Sequence, residues 1–253
     1  MKKYNWVLFL VIAFGLNVCN AQPSANNWDL LLIREDVVKP SKTTDYEISL
    51  LKLTTFLEDN NINDVNYITE VQDNYHYSHI TVIRDLNDIQ GGIRAYITGK
   101  KSSDEFDLIW DEVNESLETY RFYVVKYHPD FSHVTDGRVW LEEAPFRKWN
   151  YYFFNPGSEK EVDQLLAAWK NLYEQKGINN GYRVFKGVIG IDQPVVIFTS
   201  WAKTPLEHQE NLEENNELLG EEGSVLWISM LELARKLETI EGWYLPQYSY
   251  QPK

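Results

Sequence analysis

The chain has 253 residues, a formal net charge of −14 and one cysteine, Cys19, while 14% of its residues are Phe, Trp or Tyr. An acidic balance of this size excludes a nucleic-acid partner, whose binding relies on Lys and Arg displacing counterions. A single cysteine excludes disulfides within the chain and any cysteine cluster around a metal.

Met1-Lys2-Lys3 and the apolar run from Trp6 to Leu16 open the chain. Cys19 and Ala21 then stand three and one positions before Gln22, as signal peptidase requires. Residues 1–21 therefore read as a cleavable secretory signal peptide. The apolar run falls short of the about 20 residues that cross a bilayer, so no stable membrane span is expected. Leu16-Asn17-Val18-Cys19 approximates a lipobox, and lipidation of Cys19 is the alternative fate, although Val18 stands where that motif takes a small residue. Cleavage before Gln22 leaves 232 residues with a charge of −16, because Lys2 and Lys3 are lost and no acid is. The expected location is periplasmic or secreted.

The first unit is read over residues 22–130. Trp28 to Arg34 is a strand, followed by a Lys39-Pro40-Ser41 loop. Thr44 with Glu47 has capping-box spacing, and Ile48, Leu51, Leu53, Phe56 and Leu57 continue a helix as far as Asn60-Asn61. Tyr67–Val71 and Tyr75–Arg84 are strands that turn at Asp73-Asn74. A weak helix is read over 88–97. A stronger one starts at Ser102 with Glu105 and carries Phe106, Ile109, Trp110, Val113 and Leu117. Tyr120–Tyr127 closes the unit.

Residues 131–148, with Gly137 and Pro145, read as a linker, and 149–253 as a second unit. Trp149–Phe154 is its first strand. Ser158 with Glu161 caps a helix that bears Val162, Leu165, Leu166, Trp169, Leu172 and Tyr173 and ends at Gly177. Tyr182–Ile189 and Val195–Trp201 are strands joined through Asp192-Gln193-Pro194. Thr204-Pro205 with Glu207 starts a helical segment, Pro being tolerated at the first position. Gly220 and Gly223 break it, Ser224–Glu238 reads as an amphipathic helix, and Trp243–Tyr250 as the last strand.

Each unit thus reads β-α-β-β-α-β, the ferredoxin-like plan, and the chain as an internal duplication. Tyr151, Tyr152, Phe153 and Phe154 are large on both strand parities, so both faces of the sheet are buried. The expected fold is α+β: two tandem ferredoxin-like units packed sheet to sheet as an intrachain α+β barrel, each sheet covering the other.

With its doubled plan, doubly apolar strands and Lys39-Pro40-Ser41 loop, the sequence resembles the dimeric α+β barrel superfamily, the loop being similar to that of NIPSNAP and EthD-like members. The resemblance covers nearly the whole chain after residue 21 and identifies no subfamily. It implies a group that includes cofactor-free monooxygenases, haem-dependent chlorite dismutases, small isomerases and proteins without known activity.

The five histidines are His76, His79, His128, His133 and His208. His76 and His79 point to opposite faces of one strand, and no HxH or HExxH pair occurs, so no metal and no cofactor is expected. A haem enzyme would need one proximal histidine. His208 is the candidate, yet Glu207, Gln209 and Glu210 around it suggest a solvated face. Gly187 and Gly190 lack a nucleotide-binding context, and no serine nucleophile elbow is present. The aromatic strands point to a small, partly apolar molecule bound in a cleft between the two sheets. Tyr77, His79, Phe122, Tyr123, Tyr151 and Phe153 are its candidate lining. A cofactor-free oxygenase or isomerase using a buried Tyr or His as acid/base is the first alternative, and a structural envelope protein with a filled barrel the second. Oligomeric state is left open.

Overall fold

The computed structural model describes residues 30–89, 103–135 and 143–252. The leader read over 1–21, most of the helix read over 88–97 and the Ser102 cap lie outside the described residues.

Eight strands are described: β1 Leu30–Val38, β2 Ile68–Gln72, β3 His76–Ile83, β4 Leu117–Tyr127, β5 Phe146–Phe154, β6 Arg183–Ile189, β7 Val195–Ala202 and β8 Ala234–Tyr244. The helices among the described residues are α1 Thr43–Asp59, α2 Ser103–Glu115, α3 Glu159–Lys176 and α4 Pro205–Leu233. The strands close into one barrel in the order β1-β3-β2-β8-β5-β7-β6-β4, and every neighbouring pair is antiparallel. The halves meet edge to edge, β2 on β8 and β4 on β6. They are joined by hydrogen bonds, so the expected pair of stacked sheets is one continuous closed sheet. Closure leaves no free strand edge.

Alternation along the strands sorts side chains into two sets. Leu31, Ile33, Tyr123, Trp149, Tyr151, Phe153, Phe185 and Ile197 point inward and pack together as the barrel interior. Tyr152, Phe154 and Val196 point outward and are covered by α3 and α4, through Val162, Leu166, Leu219 and Met230. On the other half, Val38 and Tyr77 point outward under Tyr46 and Leu50 of α1 and Val113 of α2. The doubly apolar β5 is therefore explained: one parity faces the interior and the other faces helices.

Two glycines permit this geometry. Gly177 ends α3 in the left-handed region with φ 65°, where a side chain would be strained. Gly190 has φ 80°, and a Cβ there would meet the backbone of Phe122 and Tyr123. Glycine thus lets the turn after β6 lie directly on β4, where the barrel closes.

Several readings need correction. Ser224–Glu238 is not one helix and Trp243–Tyr250 is not the last strand: α4 stops at Leu233, and Ala234–Tyr244 is a strand paired along the length of β5. Gly220 is the one non-helical residue inside α4, at φ 57°, while Gly223 stays helical. The capping box at Thr44 is not formed, since α1 has Lys42 at its N-cap with no side-chain cap and Glu47 instead accepts from the Tyr77 hydroxyl at 2.7 Å. At α3 Ser158 stands at the N-cap without a side-chain cap bond, its hydroxyl donating instead to the Asn155 carbonyl at 2.7 Å, whereas at α4 Thr204 Oγ1 accepts from the Glu207 amide at 3.1 Å. β5 begins at Phe146, inside the stretch read as linker.

Candidate functional site

The six sequence-selected residues fall in two places. Tyr123, Tyr151 and Phe153 share the barrel interior. The two tyrosine hydroxyls form a chain: Tyr123 donates to Glu35 Oε1 at 2.8 Å, and the Tyr123 and Tyr151 oxygens are 3.0 Å apart. Arg121 donates to Glu35 Oε2 from β4. Burial is the first cause that pushes both tyrosines up, and the Glu35 charge adds to it. Nearby, Trp149 donates to Glu70 Oε2 at 2.9 Å. Burial raises the Glu70 carboxyl, against the pull of Arg147. These groups are mutually satisfied and hold the interior in one packing.

Tyr77 and His79 point the other way, beneath α1. The His79 Nε2 lies 2.8 Å from the Tyr46 hydroxyl, which donates to Asp36 Oδ2 at 2.8 Å. Its Nδ1 lies 2.9 Å from Thr69 Oγ1. Burial pushes His79 down to about 4, against the pull of Asp36. Arg34 completes the network by donating to Asp36 Oδ1 at 2.6 Å, its guanidinium 4.5 Å from the Trp110 ring centroid. Phe122 lies at the edge of this network, exposed on the outer face of β4, with its ring centroid 5.6 Å from the Arg34 guanidinium.

A cavity of about 910 Å³ lies elsewhere, between the outer face of β5, β7 and β8 and the inner face of α3 and α4. Tyr151 is the one member of the six that borders it. The sheet supplies Lys148, Asn150, Tyr152, Phe198, Ser200 and Thr239 to the lining. The helices supply Trp169, Tyr173, His208, Asn211, Asn215 and Trp227. Tyr152 meets Trp227 edge-on at 5.7 Å and Phe198 at 5.5 Å, so aromatic walls enclose a space edged by amides and hydroxyls. This is the composition of a small-molecule site.

His208 occupies one end. Its Nε2 lies 2.7 Å from Ser200 Oγ, and its ring meets Phe146 edge-on at 5.5 Å. Burial lowers its pKa first and the charge of Lys148 second, while Glu241 opposes them. The imidazole is therefore held neutral and available as a base near neutral pH. The acidic neighbours of His208 do face solvent, but the histidine turns inward. The missed lining was partly visible in sequence: His208, Asn211 and Asn215 recur at helical spacing on one stripe of an acidic helix. The sheet side left no comparable signal, because Lys148, Asn150, Ser200 and Thr239 are polar residues on strand parities shared with apolar ones.

Haem requires an imidazole nitrogen free to face the iron and cations for its carboxylates. Among the described residues, His208 is the histidine on this lining and Lys148 the cation. Lys148 is engaged by Glu241 at 2.7 Å, so no cation of the lining is left for a haem carboxylate. The donor set does not fit a haem.

No protein-family model matches the chain, and no curated protein sequence does. Solved structures do match. A candidate monooxygenase from Lactobacillus acidophilus aligns with TM-score 0.55 at 6% identity, over 88% of this chain and 96% of that one. An anthrone oxidase-like protein aligns with TM-score 0.54 at 13% identity, over 85% and 91%. Chlorite dismutase from Candidatus Nitrospira defluvii, solved with imidazole, aligns with TM-score 0.51 at 11% identity, over 86% and 91%. At these identities the likeness establishes the fold alone: the chain shares a closed α+β barrel architecture with these proteins.

Proposed function

We propose that this chain binds a flat, partly aromatic small molecule in the cavity between α3, α4 and the outer face of β5–β7–β8, and acts on it as a cofactor-free oxygenase-type enzyme. The observation that carries this reading is His208, a half-buried neutral imidazole at the rim of an aromatic cavity of about 910 Å³. The monooxygenase and anthrone oxidase-like names among its fold neighbours support the same class.

With Nε2–H donated to Ser200 Oγ, the Nδ1 lone pair of His208 can take a proton from an activated CH₂ of the substrate. The carbanion then gives its electron pair to dioxygen and forms a C–O bond. The resulting peroxide, protonated by the imidazolium, loses water across the C–O–O–H unit and leaves a carbonyl. Dioxygen is reduced, the CH₂ carbon is oxidised, and one water leaves per carbonyl formed. Anthrone offers such a CH₂ and serves as the probe. Oxygen uptake with a matching gain of anthraquinone absorbance, lost in His208→Ala, is the expected result. Equal rates for wild type and His208→Ala would remove the catalytic part of the reading and leave binding.

The repeat of the β-α-β-β-α-β order in both halves supports a tandem duplication of a ferredoxin-like unit. The leader composition of residues 1–21 supports export, to the periplasm or beyond the cell.

A further inference from the structure

The strand register orders the floor of the same cavity by polarity. Val196, Tyr152 and Leu237 stand side by side across β7, β5 and β8. Four residues back along β5, about 13 Å away, the matching row is Ser200, Lys148 and Glu241. Both rows share the strand parity that faces the helices. Tyr152 meets Trp227 of α4 edge-on at 5.7 Å, and Ser200 Oγ lies 2.7 Å from His208 Nε2. One end of the cavity is thus aromatic and aliphatic, and the other is polar and holds the base.

The polar end carries charge that is already cancelled. Lys148 borders the cavity, and its Nζ donates to Glu241 Oε1 at 2.7 Å. Glu241 is not part of the lining, so the ammonium is neutralised from outside the space a ligand would fill. Glu238 is the second ionised residue on the lining. Register sets it opposite Tyr151, on the parity of the barrel interior, and Lys236 pairs with it at 2.5 Å. Among the described residues, the lining therefore offers a ligand no uncompensated charge. An ion loses more on leaving water than neutral hydrogen bonds return, unless an opposite charge waits for it.

We infer that Glu241 is a specificity-determining residue: by holding Lys148 it makes the cavity select uncharged amphipathic molecules and turn away carboxylates of the same shape. The hydrocarbon part lies over Tyr152, and a neutral polar group points toward Ser200 and His208. Anthrone, an uncharged ketone, belongs to this class. The inference rests on the cavity being the binding site, and it adds which ligands that site admits. The Lys148 and Glu241 side chains are 22% and 43% exposed. Pairs so placed contribute little to stability, so either member can be replaced with the fold intact.

Calorimetric titration of the full chain with 2-naphthamide and with 2-naphthoate at neutral pH tests it, since the two share a shape and differ in charge. Wild type should bind the amide about tenfold more tightly or better. Glu241→Gln releases Lys148 to meet the carboxylate, so 2-naphthoate should tighten by about tenfold while 2-naphthamide stays within about twofold of wild type. Lys148→Met leaves Glu241 unopposed and should weaken 2-naphthoate further, again sparing the amide. A loss of packing would move both probes together, and opposite shifts of the carboxylate alone cannot come from it. Should Lys148→Met fail to fold, Glu241→Gln carries the test alone. Wild type that binds 2-naphthoate as tightly as the amide, or Glu241→Gln that keeps the wild-type preference, overturns the role of Glu241 and leaves the cavity reading standing. Binding of neither probe overturns the cavity reading itself.

Discussion

Ser200 Oγ and His208 Nε2 lie 2.7 Å apart and join β7 to the first turn of α4 at the rim of the cavity. Ser200 is a positioning residue here, and the imidazole does the chemistry. Ser200→Ala should lower the anthrone oxidation rate modestly, by less than tenfold, whereas His208→Ala should lower it by about 10²-fold or more. Initial rates of anthraquinone formation separate the two effects.

Because burial and Lys148 lower the His208 pKa, the active neutral form persists to lower pH than an ordinary histidine would allow. The rate should rise with pH through an apparent pKa below the usual 6.5 and stay flat above it. Lys148→Met removes one of the two causes, so its profile should move to higher pH. A pH–rate profile of both proteins checks this.

The His79 site makes stability depend on pH. Its pKa is held at about 4 in the folded chain, against about 6.5 when unfolded. Between those values the unfolded chain binds more protons, so stability is fully present above about pH 6.5 and falls as pH drops toward 4. The loss is on the order of 3 kcal/mol at its limit. Chemical denaturation across this range should show the decline, and His79→Gln should flatten it.

Inside the barrel, Tyr123→Phe would remove the donor to Glu35 Oε1 and the partner of the Tyr151 hydroxyl. Stability should fall by about 1–3 kcal/mol, since buried polar atoms lose their partners without any gain in space. Beneath α1 and α2, Arg34→Met would leave the buried Asp36 without its ion pair. The expected cost is about 3–5 kcal/mol. Urea midpoints of the two variants, ranked in that order, are the measurement.

Much of the barrel was legible in the sequence because its strands are buried on both sides. β5 announced this through Tyr151 to Phe154, and helix α3 through its periodic Val162, Leu166 and Leu172. β8 was not legible. Its Lys236, Glu238, Glu241 and Gly242 carry little apolar alternation, and the helical pattern through Leu226, Met230 and Leu233 runs straight into it. Pairing with β5, some eighty residues earlier in the chain, decides the outcome, and such non-local contacts override local propensity. Of the residues selected from the sequence, Tyr151 alone borders the candidate site. His208 was weighed only as a haem ligand and set aside for its acidic neighbours, and its lining partners come from β5, β7, β8 and both helices. Only the closed fold gathers them.

The account stands most directly on whether the second-half cavity is where a ligand sits. Thr239 borders that cavity and lies on β8, where tryptophan is well tolerated, so Thr239→Trp fills the space from the sheet side. Calorimetric titration of 2-naphthol into wild type and Thr239→Trp, at matched thermal stability, is the decisive measurement. The account predicts one site in wild type and at least a tenfold loss of affinity in the variant, a tenfold change being about 1.4 kcal/mol. Unchanged affinity in Thr239→Trp would contradict it.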